Sequence, residues 1–181
     1  MGCCVDYRRG ESLKRLAAPT ALVALALFVT AWAGFVGCFG RRKTSDLRQR
    51  VLDAALAEPS IAPRVDTYWQ DVLAGASPPY PPDWCGAFVL WALHQAGLAK
   101  DVTWIIGKGF ASQLPTTENP EPGDVAYFTA NQHHALVLSV SPTQVTLLNG
   151  NGSQGHITRS TVLKSEVAAF YSIEPLVRDA G

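Results

Sequence analysis

The sequence has no excess of charge of either sign: 15 Lys and Arg face 15 Asp and Glu, for a formal net charge of zero. That balance argues against a nucleic-acid partner, whose proteins normally carry a basic surplus. Cysteine is scarce where a fold would use it. Of four cysteines, Cys3, Cys4 and Cys38 precede residue 40, and Cys85 stands alone beyond it. A disulfide framework is therefore excluded, and Cys85 is a free thiol. No His-Glu-x-x-His or Cys-x-x-Cys pattern occurs, so a metal site has no support in the sequence and no cofactor is implied. A phosphate loop is missing too, because Gly150-Asn151-Gly152-Ser153-Gln154-Gly155 lacks the lysine and the helix it would need. There are no internal repeats.

Charge disappears altogether from Leu16 to Gly40, a run of 25 residues rich in Ala, Val, Leu and Phe. That is long enough to cross a bilayer with some tilt. A basic tail, residues 1–15, precedes it with Arg8, Arg9, Lys14 and Arg15; Arg41, Arg42, Lys43, Arg48 and Arg50 follow. With both flanks basic, the positive-inside rule does not set the orientation. The expectation is a retained single-pass transmembrane signal anchor over residues 16–40. Two alternatives stay open: a cleaved signal peptide with Ala31-Trp32-Ala33 as its small-residue site, and a lipoprotein signal ending in Val36-Gly37-Cys38. The start Met1-Gly2-Cys3-Cys4 is not a myristoylation signal, since Asp6 stands where Ser or Thr is required.

Beyond the hydrophobic run, helical and then strand periods follow. Thr44 to Glu58 reads as a helix with an apolar stripe of Leu47, Val51, Leu52, Ala55 and Leu56, ended by Pro59 and Pro63. Val65 to Ala74 reads as a second helix facing the core through Tyr68, Trp69, Val72 and Leu73. Ser77-Pro78-Pro79-Tyr80-Pro81-Pro82 is a stiff extended lead to the next element. After one helical turn at Phe110 to Leu114, strands are expected at Asp124–Phe128, His133–Val140, Val145–Asn149, around His156–Thr158 and at Val167–Ile173. Helices first and an antiparallel sheet after them make the expected class α+β.

Between the proline run and the sheet lies Asp83-Trp84-Cys85-Gly86-Ala87-Phe88-Val89-Leu90-Trp91-Ala92-Leu93-His94-Gln95-Ala96-Gly97. Apolar residues cover most of its circumference, as in a buried helix. Asp83 is the expected N-cap and Gly97 the expected stop. Cys85 would then occupy the second helical position, where unpaired N–H groups and the helix dipole favour a thiolate. Two readings are open from the helix alone: an activated nucleophile, or a cysteine packed as a small hydrophobe.

The sheet supplies partners for the first reading. His133 or His134 opens one strand, and Asn149 ends its neighbour. A cysteine hydrolase needs this division of labour: a thiolate to attack an amide carbonyl, an imidazole to move the proton, and a polar group to orient the ring. His94 and His156 are expected to be structural or exposed, and Trp91 and Trp104 to belong to the core.

These segments resemble the CHAP family of cysteine- and histidine-dependent amidohydrolases/peptidases. The resemblance rests on Asp83-Trp84-Cys85-Gly86-Ala87-Phe88-Val89, on Pro122-Gly123-Asp124-Val125-Ala126-Tyr127-Phe128, on the His–His strand and on Leu148-Asn149-Gly150-Asn151. It implies a papain-like domain over residues 44–176 that hydrolyses amide bonds in peptidoglycan, with stem or cross-bridge peptides as partners. Cys85 is then the nucleophile, a histidine of the pair the base, and Asn149 the orienting residue, a position often acidic in the family. His133 is the favoured base because Ala135 fills the small slot two residues on; His134, the alternative, would place Leu136 there. Tyr80, Trp84 and Asn151 are expected to contact substrate. An exported domain tethered by residues 16–40, on the periplasmic or extracellular side of the membrane, fits that substrate. A retired module that binds wall peptides or scaffolds an envelope complex is the rival reading.

Overall fold

A computed structural model of the chain describes residues 46–74, 83–105 and 107–180. The basic tail, the hydrophobic run at 16–40 and the proline segment with Tyr80 lie outside the described residues. Among the described residues no helix is long and apolar enough to cross a membrane.

Helix α1 occupies residues 46–56. Its stripe is the expected one except at its end: Leu47, Val51, Leu52 and Ala55 are buried, but Leu56 is 41% exposed. Arg48, read in the sequence only as a basic flank of the hydrophobic run, joins the buried face. Helix α2, Val65–Val72, buries Tyr68 and Trp69. Helix α3, Cys85–Gln95, is buried without a break from Cys85 to Leu93. Each large apolar side chain so enclosed contributes roughly 1.5–3 kcal/mol. Gly97 ends it as expected, at φ +79. The N–H of Gly97 reaches the His94 carbonyl (2.8 Å) and that of Leu98 the Leu93 carbonyl (2.9 Å), which closes the helix with a Schellman turn.

The start of α3 differs from the expectation. Trp84 occupies the cap position without a capping side chain, and Cys85 is the first helical residue. Asp83 is drawn elsewhere: its Oδ1 accepts from Asn151 Nδ2 at 2.8 Å. Trp84 meanwhile packs its indole on Tyr68 and Phe88, with ring centroids 5.7 and 6.2 Å away.

Five strands form one antiparallel sheet in the order β4-β3-β2-β1-β5: β1 Val125–Phe128, β2 His133–Val140, β3 Gln144–Asn149, β4 Thr158–Leu163 and β5 Ala169–Tyr171. Helices and antiparallel sheet together make the fold α+β. Two elements depart from the sequence reading. Strand β4 runs five residues past the expected His156–Thr158, although its alternating burial shows a period of two. Helix α4, Glu174–Asp179, follows the expected closing strand and was not foreseen; its Pro175 lies in the first turn, where a proline suits a helix start.

One face of the sheet carries α3, through Val125, Tyr127, Leu136 and Leu148; the other holds Ala126, Ala135, Val137, Val145, Leu147 and Phe170. An ion pair ties the ends together. Arg48 Nη1 lies 2.8 Å from Asp124 Oδ1 and donates to the Pro122 carbonyl at 3.0 Å. Asp124 also accepts from the backbone N–H of Ile173 (3.0 Å) and of Glu121 (2.8 Å). The aspartate that opens β1 is therefore the joint between α1, β1 and the chain leading into α4.

Candidate active site

Cys85 is buried at the first turn of α3. Because α3 packs across β2, its sulfur lies close to that strand, near the backbone N–H groups of His134 and Gly86. Burial pushes the thiol above its ordinary value, those two N–H groups pull it back, and the Asp83 carboxylate pushes it up again. The net shift is upward, opposite to the thiolate expected from helix position. Loss of water outweighs the helix start at a residue only 4% exposed.

The two histidines separate because successive strand residues point to opposite faces. His133 faces its cross-strand neighbour Phe128 and shares a side with Ala135, whose partner is Asn149. His133 Nε2 lies 3.1 Å from Asn149 Oδ1. An amide oxygen only accepts, so Nε2 carries the ring proton and Nδ1 keeps the lone pair. Burial lowers the proton affinity of His133, while Asn149 and the nearby Asp83 carboxylate raise it in part. The net direction is downward, so both thiol and imidazole are neutral near pH 7.

His134 turns to the α3 side. It is 2% exposed, and its ring sits 4.7 Å from that of Phe110 and 5.0 Å from that of Tyr127. Neither ring nitrogen has a hydrogen-bond partner. Burial, with a smaller push from His133, takes it down to about 4. Gly86 makes room for it: a Cβ there would come within 3.1 Å of His134 Nδ1 and 2.8 Å of the Trp104 ring. Among the described residues no hydrogen bond joins the Cys85 sulfur to either imidazole.

A cleft of about 290 Å³ opens beside the sulfur, lined by Asp83, Cys85, Gly86, Trp104, His134 and the loop Ala130–Gln132. Trp104 packs against the core as expected, its ring 5.1 Å from that of Trp69 and 5.8 Å from that of Phe110, and also walls the cleft. Trp84, expected to contact substrate, lies instead in the aromatic core at 7% exposure. Asn151 has φ +52 and holds Asp83 at the cleft's edge. Tyr80 lies outside the described residues. His94 bridges helices, with Nδ1 2.6 Å from Asp71 Oδ2 and Nε2 3.2 Å from the Ala99 carbonyl. Among the described residues no cluster of His, Cys, Asp and Glu is arranged to hold a metal.

Comparison with known proteins bears out the resemblance. The family model of the CHAP domain matches residues 76–151, which contain Cys85, both histidines, Asn149 and Asn151. No curated protein matches the chain. Among solved structures, the P60 domain from M. avium subspecies paratuberculosis antigen MAP1204 is similar at 15% identity and a TM-score of 0.41, over 74% of this chain and 96% of that one.

Proposed function

We propose that this CHAP-domain chain is a cysteine amidase or endopeptidase that hydrolyses amide bonds in peptidoglycan, with Cys85 as nucleophile, His133 as base and Asn149 as the residue that orients it. The observation that carries the reading is the His133 Nε2–Asn149 Oδ1 contact at 3.1 Å. It leaves Nδ1 as the basic nitrogen, on the sheet face away from α3, so the reading requires the His133 ring to reach the Cys85 sulfur around the N-terminal end of β2. His134, the alternative base, lines the cleft beside the sulfur, but neither of its ring nitrogens has a hydrogen-bond partner to fix a tautomer, and burial takes its proton affinity down to about 4.

In this papain-like scheme, His133 Nδ1 takes the thiol proton as the sulfur adds to the substrate carbonyl carbon. Backbone N–H groups in the first turn of α3 have no acceptor within the helix and face the developing oxyanion. Collapse breaks the C–N bond, and the proton on Nδ1 passes to the departing amine. Water, deprotonated by the same imidazole, then cleaves the thioester and restores the thiol. Since both groups rest neutral, the proton moves only when substrate is bound. The Leu16–Gly40 run would tether the domain to a membrane, on the periplasmic or extracellular side where wall peptides lie.

The rival reading, a retired module that binds wall peptides, draws on the absence among the described residues of a hydrogen bond between the Cys85 sulfur and an imidazole. One assay separates the two. Full-length protein in detergent is incubated with purified peptidoglycan, and newly freed amino groups are counted for wild type and Cys85→Ala. Amine release by wild type that vanishes in the variant supports hydrolysis; equal counts from both support the retired module.

A further inference from the structure

Asn149 has an amide with two unlike ends, and only one serves the base. If its Nδ2 faced His133, Nε2 would have to accept. The ring proton would then sit on Nδ1, the nitrogen that must receive the thiol proton. Nothing in β2 or β3 selects the useful end. Strand β4 does: Asn149 Nδ2 donates to the Thr158 carbonyl at 3.2 Å and to Ser160 Oγ at 3.0 Å. Both N–H bonds of the amide are thereby used on the β4 side, and Oδ1 is the end left for His133. The Thr158 carbonyl gives the arrangement its sense, because an oxygen turned toward it would meet another acceptor. The strand register makes it repeatable: Asn149 pairs with Thr158, and Ser160 with Leu147, so Asn149 and Ser160 stand diagonally on one face.

We infer that Ser160 is a positioning residue of this site: with the Thr158 carbonyl it locks the Asn149 amide so that His133 is held in the tautomer that can act as base. The inference rests on the proposed roles of Asn149 and His133. It also accounts for a neutral residue where the family often has an acid. A carboxylate presents oxygen whichever way it turns, whereas an amide works only if its rotation is fixed. Strand β4 supplies that fixation, and Ser160 is its one side-chain contribution. Ser160 touches neither the sulfur nor the cleft, so it acts through Asn149 alone.

The test has two readouts on the full-length chain. In the first, ¹⁵N-histidine NMR gives the tautomer of His133, assigned by its loss in His133→Ala. Wild type should show the Nε2–H form, Ser160→Ala a mixture of the two forms, and Ser160→Thr, which keeps the hydroxyl, the wild-type form. An unchanged tautomer in Ser160→Ala overturns the inference. This readout does not require turnover, so a chain that fails to cleave peptidoglycan yet shows the tautomer change refutes the hydrolase reading and keeps the clamp. In the second, Ser160→Ala should lower kcat about fivefold to tenfold, the effect of one neutral hydrogen bond, with KM nearly unchanged and with recovery in Ser160→Thr. In an Asn149→Ala background the same substitution should have no further effect. An equal loss in that background would make Ser160 a structural residue only and overturn the inference.

Discussion

Asp83 sets the charge at the mouth of the cleft. Its carboxylate raises the proton affinity of both Cys85 and His133 and is itself held by Asn151. Asp83→Asn keeps an acceptor for Asn151 and removes the charge, so both groups should titrate at lower pH. Iodoacetamide alkylation of Cys85, followed against pH, should then reach its half-maximal rate at a more acidic point than in wild type. A coincident or more alkaline curve would show that Asp83 does not act on the thiol. Sequence reading placed Asp83 close to the sulfur but gave it the wrong task. A cap preference is local, whereas the Asn151 contact joins residues 68 positions apart and cannot be seen from the helix alone.

At the scale of elements, the seam between α3 and β2 holds the least expected feature. A neutral imidazole without a partner is packed where an aliphatic side chain would fit. Leaving such a group unpaired costs about 1–3 kcal/mol. His134→Leu should therefore stabilise the fold in urea unfolding at pH 7 by about 1 kcal/mol or more. The pH dependence gives a sharper check. An unfolded His134 takes up a proton near 6.5 and the folded one only near about 4, so the unfolded state binds more protons between those values. Stability should fall as pH drops from about 6.5 to about 4, with His133, also lowered, adding in the same sense. His134→Leu should flatten that slope; an unchanged slope would mean His134 is not buried neutral. The strand itself was legible, with β2 matching its expected limits, but the two neighbouring histidines could be told apart only once the pleat and the position of α3 were known.

For the molecule as a whole, Arg48 and Asp124 join the first described helix to the sheet and to the C-terminal helix. Side-chain exposures of 8% and 1% put this pair well inside the protein. Removing one partner strands the other, so Arg48→Met should lower unfolding free energy by about 3–5 kcal/mol, while Arg48→Met combined with Asp124→Leu should recover part of it. A loss under 1 kcal/mol in the single variant would show the pair to be peripheral. In the sequence Arg48 looks like one more basic flank of the hydrophobic run, and Asp124 like the first residue of a strand. Neither reading is a local error, because their meeting spans 76 positions. What was legible at this scale was the order of helix and strand periods, which come from burial patterns that each segment carries on its own.

All three scales converge on whether the imidazole paired with Asn149 serves the sulfur of Cys85. The most direct measurement is amine release from peptidoglycan by His133→Ala, set against wild type, His134→Leu and the Cys85→Ala baseline. The account predicts a loss of about 10²-fold or more for His133→Ala, down toward that baseline, with His134→Leu near wild type. Retention of most activity by His133→Ala, or its loss in His134→Leu with the fold intact, would contradict it.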